Sequence, residues 1–248
     1  MKNLILVLLA GLLFGLSFID IGAGFFCFFA FIPYLYFIIK STPKQAFLFG
    51  FLFGLFITLI TLYGVFNVKL IAFIGLLIAF PLYFAILSVF LRKVHESFPK
   101  IFLWIFPLIW IGFEYVMTLG SLNFPWLNVG YSLSKYYLLI QAADLLGIYG
   151  LSLLVLFINV LLYKVLSGKP RNLLVILIIF VLWFGYGIYR DKTIQLKSSD
   201  LKIGIVQLNV MQEDKWKPEN LIPTIDEYEN QVRILAPVSY THLRAHET

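Results

Sequence analysis

Long apolar runs, free of charged residues and separated by short polar segments, are the main pattern of this chain. A helix needs about 20 apolar residues to cross the hydrocarbon core of a bilayer. Runs of spanning character occupy residues 46–68, 70–91, 145–163 and 172–189, residues 101–119 with one carboxylate, and two shorter stretches at residues 4–19 and 25–39. The pattern predicts an all-α polytopic membrane bundle of seven spans within residues 1–190.

The pattern changes abruptly after Arg190. In residues 202–210 the apolar positions form a continuous core bounded by polar residues, as in a strand buried in an α/β or sandwich core. Thr224 and Glu227 then have the spacing of a capping box, and apolar residues recur at helical spacing up to Leu235. This segment predicts a strand, a loop and an amphipathic helix.

Composition indicates the class of protein, and the distribution of charge predicts the orientation of the bundle in the membrane. Hydrophobic residues make up 61% of the chain and charged residues 13%, which places it among integral membrane proteins. The net charge of +6 does not indicate nucleic-acid binding, because the basic residues lie in short loops and form no face with interleaved aromatics. Nine basic residues lie on one side of the predicted bundle and two on the other: Lys2, Lys40, Lys44, Arg92, Lys93, Lys100, Lys164, Lys169 and Arg171 against Lys69 and Lys135. This bias predicts a cytoplasmic amino terminus and places everything after Arg190 across the membrane, which in a bacterium is the periplasm.

Glu114 is the acidic residue that lies well inside a predicted span. An ionisable group at that depth is costly unless it faces a cavity or a partner, so Glu114 is a candidate functional residue. A structural hydrogen bond to a neighbouring helix or an interfacial loop explains it equally well. Asp144 lies near the start of the sixth span, where a helix amino end favours a negative charge, and Cys27 has the surroundings of a small apolar packing residue.

A segment rich in aromatic residues follows Glu114 on the predicted periplasmic side. Residues 122–131 contain Pro, Gly, two Asn and three aromatic residues. Irregular backbone cannot lie in lipid, so the segment is expected at the membrane interface, where Trp and Tyr are favoured. It could shape an access route for lipid or serve as an aromatic anchor, and its residue types do not separate the two interpretations.

Three motifs stand out in the chain: Phe124-Pro-Trp-Leu-x-x-Gly-Tyr131, the stretch from Asp144 to Asn159 with Gly147 and Gly150, and Val206-Gln-x-Asn-Val-x-Gln-x-x-Lys-Trp216. Together they resemble the motifs of bacterial apolipoprotein N-acyltransferases. The resemblance runs over nearly all of residues 1–236. It implies a membrane bundle joined to a nitrilase-like α/β sandwich, in the bacterial inner membrane with the sandwich in the periplasm.

The resemblance also implies an activity. An acyl chain is taken from a membrane phospholipid onto a cysteine as a thioester and passed to the α-amino group of the diacylglyceryl-cysteine of a lipoprotein. The family uses a Glu, Lys, Cys triad, in which the carboxylate acts as base and the lysine stabilises developing charge. No metal or cofactor is expected.

The residues that the resemblance would place near substrate lie in both parts of the chain. They are Trp216, which matches a tryptophan near the mouth of the family's active site, and Phe124, Pro125, Trp126, Tyr131 and Glu114 of the membrane part. Packing within the first loop of the domain is an alternative role for Trp216. The arginine that usually follows the family's glutamate is absent, and Met117 lies nearby instead, which puts an ion-pair role for Glu114 in doubt.

The last residues do not continue the family pattern. Val238-Ser-Tyr-Thr-His-Leu-Arg-Ala-His-Glu-Thr248 resembles the translation of a sequencing-library adapter, so His242, His246 and Glu247 are assigned no role. We therefore expect residues 191–236 to be the truncated start of the nitrilase-like domain and residues 237–248 to be a non-native tail. Without the triad, this chain is expected to be inactive as an acyltransferase.

Two other functions remain open at the level of the sequence. A polytopic transporter or scaffold with a short periplasmic tail would also be rich in apolar spans, although no pair of broken helices marks a midplane site. Another membrane-tethered, nitrilase-like enzyme that uses a different acyl donor would share the same motifs.

Overall fold

The computed structural model describes residues 2–19, 22–120, 123–194, 203–211, 214–215, 217–235 and 242–245. The chain divides into two compact units, Met1–Ile194 and Gln195–Thr248. Trp216 and the residues at positions 195–202 lie outside the described residues.

All regular structure among the described residues of the first unit is helical. Its helices are α1 (Lys2–Leu16), α2 (Cys27–Lys40), α3 (Pro43–Thr61), α4 (Gly64–Val68), α5 (Leu70–Ser97), α6 (Phe102–Val116), α7 (Tyr137–Ile140), α8 (Ala143–Leu166) and α9 (Asn172–Thr193). Short 3₁₀ turns at Ala23–Phe26, Pro125–Leu127 and Val129–Leu133 complete it. The main helix contacts are α3 with α5, α1 with α2 and α3, α2 with α8, and α8 with α6 and α9.

Five helices among the described residues are long and apolar enough to cross a membrane. They are Ala23–Lys40, which includes the first 3₁₀ turn, Pro43–Thr61, Leu70–Ser97, Ala143–Leu166 and Asn172–Thr193. The predicted spans at residues 4–19 and 101–119 correspond to shorter apolar helices, α1 and α6, of 15 residues each. The helical membrane bundle is therefore confirmed, whereas seven crossings remain a prediction.

The predicted span at residues 46–68 is interrupted. Helix α3 ends at Thr61 and α4 begins at Gly64. The hydroxyls of Thr58 and Thr61 donate to the carbonyls of Gly54 and Ile57, four residues earlier. Such back-bonding competes with the helical ladder, which offers a local reason for the end of α3 there.

Small residues let α3 approach α5. A Cβ atom on Gly50 would overlap Ser88 Oγ and the Phe84 carbonyl of α5. Ser88 Oγ in turn shares a 2.8 Å hydrogen bond with the hydroxyl of Tyr34 on α2. Gly50 therefore allows three helices to meet at one buried point, as small residues do in membrane bundles.

An aromatic cluster around Trp110 forms the centre of the core. The Trp110 ring contacts the rings of Phe14, Phe31, Tyr34, Phe53, Phe84, Phe106 and Phe113, with centroids 4.6 to 6.4 Å apart. Most of these pairs are tilted or edge to face, the arrangement that the ring quadrupole favours. The cluster joins α1, α2, α3, α5 and α6.

Asn159 of α8 is the polar link between α8 and α2. Its side-chain oxygen accepts from the Phe31 amide at 3.0 Å, and its side-chain nitrogen donates to the carbonyls of Cys27 and Val155 at 2.9 Å. In a regular α-helix the amide of Phe31 would donate to the carbonyl of Cys27, four residues earlier. The Asn159 side chain, which is fully buried, bonds to both of these groups in the first turn of α2.

The second unit contains one described helix and a two-stranded parallel sheet. Strand β1 (Ile203–Val206) pairs with β2 (His242–Ala245), with Ile203 opposite His242 and Val206 opposite Ala245. Within the predicted strand at residues 202–210, the described strand ends at Val206. Farther along, Asn209 has a φ of 50°, which extended backbone does not allow.

The predicted capping box at Thr224 and Glu227 is wrong. Helix α10 runs from Pro218 to Leu235, so both residues lie within it. Proline is favoured in the first turn of a helix, and the chain enters the helix there. Glu227 instead accepts a hydrogen bond from Gln231, one turn later, at 2.9 Å.

Candidate functional site

The aromatic loop, residues 123–133, has a buried inner face and an exposed outer face. Leu127, Val129 and Leu133 are buried on the inner face. On the outer face, Trp126 is 59% exposed and Tyr131 is 45% exposed. A loop built in this way presents two large aromatic side chains to its surroundings from a fixed base.

Two consecutive amides of the loop are bound by side chains of two different helices. The Val129 amide donates to Glu114 Oε1 of α6 at 2.8 Å, and the Gly130 amide donates to Ser152 Oγ of α8 at 2.9 Å. Glu114 is 3% exposed and Ser152 is fully buried. These side chains satisfy backbone donors that lie away from water, and leaving such donors unpaired would be costly.

Gly130 and Gly147 allow the loop to lie against α8. A Cβ atom on Gly130 would lie 2.7 Å from Ile148 Cδ1 and 2.8 Å from the Ile148 carbonyl oxygen. Gly147, just before Ile148, interrupts the helical geometry of α8 with a φ of 62° and a ψ of −175°, a conformation that only glycine adopts readily. The helix break and the close loop contact therefore occur at the same place.

Behind the loop lies a small cavity between α5, α6 and the loop itself. Its lining includes Trp110, Glu114, Met117 and Asn128, and it has about 10 Å³ for the centre of a water-sized molecule, enough for one water. Glu114 Oε2 and Trp110 Nε1 have no hydrogen-bond partner among the described residues. Met117, which lies near Glu114 in the sequence, is one wall of this cavity.

The start of the loop is fixed by backbone and ring contacts. The Phe124 amide donates to the Met117 carbonyl at 2.9 Å. The Phe124 ring packs on Phe80 of α5 and on Trp126, with centroids 5.4 Å and 4.5 Å apart. The Phe124 ring therefore lies between Phe80 of α5 and the exposed indole of Trp126 and contacts both.

An apolar groove runs along α5 and α6 next to the cavity. It has a volume of about 640 Å³, and its lining includes Tyr83, Ile86, Phe90, Gly112 and Val116. Phe113 and Met117 border both the groove and the small cavity. The groove therefore reaches the residues on which the aromatic loop rests.

A polar cluster joins the start of α8 to the end of α9. Asp144 accepts hydrogen bonds from Tyr186, at 2.6 Å, and from Arg190, with which it forms an ion pair. Tyr137 of α7 donates to Asp191 at 2.7 Å, and this carboxylate raises the pKa of the Tyr137 phenol by its hydrogen bond and its charge. Asp144 thus lies in the first turn of a helix, as predicted, and also has partners on a second helix that the sequence did not indicate.

The structure brings most of the predicted site residues together. Phe124, Pro125, Trp126 and Tyr131 share the aromatic loop, and Glu114 lies beneath it rather than on its exposed face. Trp216 lies outside the described residues, and its predicted substrate contact stays a prediction. Ser152 was not identified from the sequence, since a serine within an apolar helix carries no signal of its own.

Comparison with known proteins assigns a family to this arrangement. The model of the apolipoprotein N-acyltransferase N-terminal domain matches residues 10–161. A relative named apolipoprotein N-acyltransferase from Geobacter metallireducens is 29% identical over 252 residues, which cover 94% of this chain and 48% of the relative. Relatives of the same name from Coxiella burnetii and Rickettsia prowazekii are 31% and 34% identical over 69% and 46% of this chain, and 36% and 24% of their own lengths. The chain thus spans about half, or less, of the length of these relatives.

Proposed function

Since the chain belongs to the apolipoprotein N-acyltransferase family, we propose that it is the membrane part of an enzyme that N-acylates bacterial lipoproteins. In this reaction an acyl chain moves from a phospholipid to a cysteine thioester and then to the amino group of a diacylglyceryl-cysteine. The observation that carries the proposal is the family match over residues 10–161, which includes the aromatic loop and the bundle from within α1 to within α8.

We propose that the lipid substrates bind at the aromatic loop and in the groove beside it. The groove between α5 and α6 is lined almost wholly by apolar side chains and has a volume typical of ligand sites. Trp126 and Tyr131, exposed on the aromatic loop, are suited to the interface between acyl chains and headgroups. The proposed substrate contacts are these two residues with Phe124 and Pro125.

The proposed orientation follows the charge bias of the loops. The amino terminus faces the cytoplasm, the aromatic loop faces the periplasm, and the bundle lies in the inner membrane. We propose that residues 191–236 begin a nitrilase-like domain on the periplasmic side, with Trp216 as a further substrate contact, and that residues 237–248 are not native sequence.

We further propose that the 248 residues by themselves do not transfer acyl chains. The resemblance assigns thioester formation to a cysteine, and the single cysteine of this sequence is Cys27. Cys27 is fully buried at the start of α2. A thiol without access to substrate cannot serve as the nucleophile.

Mass spectrometry of a lipoprotein amino terminus tests both proposals. In a bacterium whose own N-acyltransferase is repressed, expression of the 248-residue chain is expected to leave the lipoprotein diacylated. The gene resequenced at its source locus across codons 230–248, and expressed in the same strain, is expected to restore the third acyl chain. Acylation by the 248-residue chain would refute its inactivity, and failure of the resequenced gene would refute the enzymatic function.

The transporter alternative has less support. A transport path needs polar groups available to a substrate within the bundle. Among the described residues, the buried carboxylate is Glu114, and it is bound to the Val129 amide. The fully buried Asn159 is likewise bonded to backbone groups.

A further inference from the structure

We infer that Glu114 and Ser152 are positioning residues, which hold the aromatic loop so that Trp126 and Tyr131 meet the lipid substrate. This inference rests on the proposed function, because that function assigns substrate contacts to the loop. Neither residue touches substrate in this arrangement, since both side chains are buried beneath the loop.

The two anchors lie between the two exposed aromatic residues. Val129 follows Trp126 by three positions, and Gly130 directly precedes Tyr131. The carbonyl of Val129 is also held, since it accepts from the Ser132 hydroxyl at 2.7 Å. Side chains therefore bind the backbone on both sides of Val129, midway along the loop.

Apart from its buried inner side chains and the contacts of Phe124, the loop has little regular structure of its own. Its regular structure consists of two 3₁₀ turns of three and five residues, and 3₁₀ turns have poorer hydrogen-bond geometry than an α-helix. Its outer side chains are exposed and add little packing. The hydrogen bonds to Glu114 and Ser152 therefore help to determine the positions of Trp126 and Tyr131 on the outer face.

The bond to Val129 needs an acceptor atom and not a negative charge. Glu114 uses one oxygen for the amide, and its other oxygen faces the cavity without a partner among the described residues. A glutamine keeps the amide acceptor in the same place, whereas a leucine of similar size removes it. Glu114→Gln and Glu114→Leu therefore separate positioning by a hydrogen bond from a requirement for charge or for volume.

The mobility of a spin label attached to the loop, measured by electron paramagnetic resonance, reports directly how firmly the loop is held. Cys27→Ala removes the single cysteine, and Tyr131→Cys then provides a label site on the exposed face in the 248-residue chain reconstituted in phospholipid vesicles. Glu114→Leu and Ser152→Ala are each expected to raise the displaced fraction of the loop about tenfold, since an unpaired buried amide shifts such an equilibrium by about that factor. Glu114→Gln is expected to match the parent.

Matched controls lie at the other end of the bundle. Glu96→Leu removes a carboxylate that pairs with Arg92, and Ser167→Ala removes a hydroxyl that donates to the Tyr163 carbonyl. Neither should alter the label at position 131. If Glu114→Leu does not fold, Ser152→Ala and Glu114→Gln still decide the matter, because opposite results are expected from them.

Cross-linking to a phospholipid with a photoreactive acyl chain connects the positioning to the substrate. With Tyr131 intact, the peptide that contains Trp126 should be labelled in the parent and in Glu114→Gln, and several-fold less in Glu114→Leu and Ser152→Ala. Unchanged label mobility in Glu114→Leu and Ser152→Ala, or increased mobility in Glu114→Gln, would overturn the positioning role. Absence of cross-links in the parent would instead count against the proposed substrate contacts, while the mobility data would still test the positioning.

Discussion

At the scale of single residues, buried polar side chains bind backbone groups that are distant in sequence. Asn159 reaches Phe31 and Cys27, more than 120 positions away, and Glu114 reaches Val129. These bonds are made away from bulk water, so a substitution that removes the side chain is costly for the partner groups. The polar residues of the core thus act as specific links between helices and the loop.

Replacement of Asn159 by leucine should destabilise the bundle. The change removes three buried hydrogen bonds, and we expect a loss of about 1–3 kcal/mol in the free energy of unfolding, because the freed groups of α2 can partly pair with each other. Denaturant unfolding in mixed micelles measures this. Asn172→Leu is the control, since the Asn172 side chain makes one bond near the bundle surface, to the Lys169 carbonyl, and an equal loss there would contradict the prediction.

Gly130→Ala and Gly112→Ala should change stability in opposite directions. The new methyl group at Gly130 would press on the backbone of Ile148, whereas none of the described atoms lies within 4 Å of a Cβ at Gly112 in α6. We expect Gly130→Ala to cost about 1–3 kcal/mol and Gly112→Ala to stabilise α6 by up to about 1 kcal/mol. Thermal unfolding of both variants in the same detergent checks the signs, and a stable Gly130→Ala chain would show that the loop contact is loose.

The sequence indicated some of these residues and, for Glu114, an interfacial loop as one alternative, but not the atoms that they bind. Glu114 was identifiable because a carboxylate inside an apolar run is rare, and the aromatic loop because irregular backbone must leave the lipid. The Val129 amide, the Ser152 hydroxyl and the contact of Gly130 with Ile148 depend on how α6, α8 and the loop come together. Such contacts arise from packing over long separations, which hydrophobic periodicity does not record.

At the scale of elements, long uncharged runs predicted helices well and their ends poorly. The extent of α3 depends on threonine hydroxyls that compete with the helical ladder, and α10 starts at Pro218 instead of at the predicted cap. The break of α8 at Gly147 likewise has no counterpart in the hydrophobic pattern, because the residues on both sides remain apolar. The apolar composition of a segment thus predicts that it is helical more reliably than it predicts where the helix begins, bends or ends.

The polar cluster at the end of α9 should hold that end locally without adding much to global stability. The side chains of Asp144 and Arg190 are 35% and 37% exposed, and solvent screens such a pair. We expect Asp144→Asn to leave the free energy of unfolding nearly unchanged and to speed hydrogen exchange in the last turn of α9. Exchange mass spectrometry tests this with Glu96→Gln as the control, and unchanged exchange at the end of α9 would contradict it.

At the scale of the whole molecule, the first unit is a bundle with an aromatic core. Its outer helices expose many of their apolar side chains. In α9, described side chains such as Leu174, Val181 and Leu182 are more than 60% exposed. Large exposed apolar faces are expected where lipid is the solvent. This agrees with the family match and with the apolar composition, and it leaves orientation to be measured.

Labelling of single cysteines should establish that orientation. In a Cys27→Ala background, Lys44→Cys precedes most of α3 and Lys69→Cys precedes α5, and both positions are exposed. A membrane-impermeant maleimide added to bacteria with a permeabilised outer membrane is expected to label position 69 and to spare position 44 until the inner membrane is broken. The reverse result would invert the proposed topology and put the aromatic loop in the cytoplasm.

The unequal lengths of neighbouring helices have a consequence for the bilayer itself. Helix α5 has 28 residues and spans about 42 Å, while α6 has 15 residues and spans about 22 Å. The apolar part of α5, residues 70–91, is about 33 Å long and matches a hydrocarbon core of about 30 Å, whereas α6 is shorter than that core by about 8 Å. In the predicted seven-span topology, lipid next to α6 is therefore expected to thin. Headgroups would then lie deeper beside the start of the aromatic loop than elsewhere around the bundle.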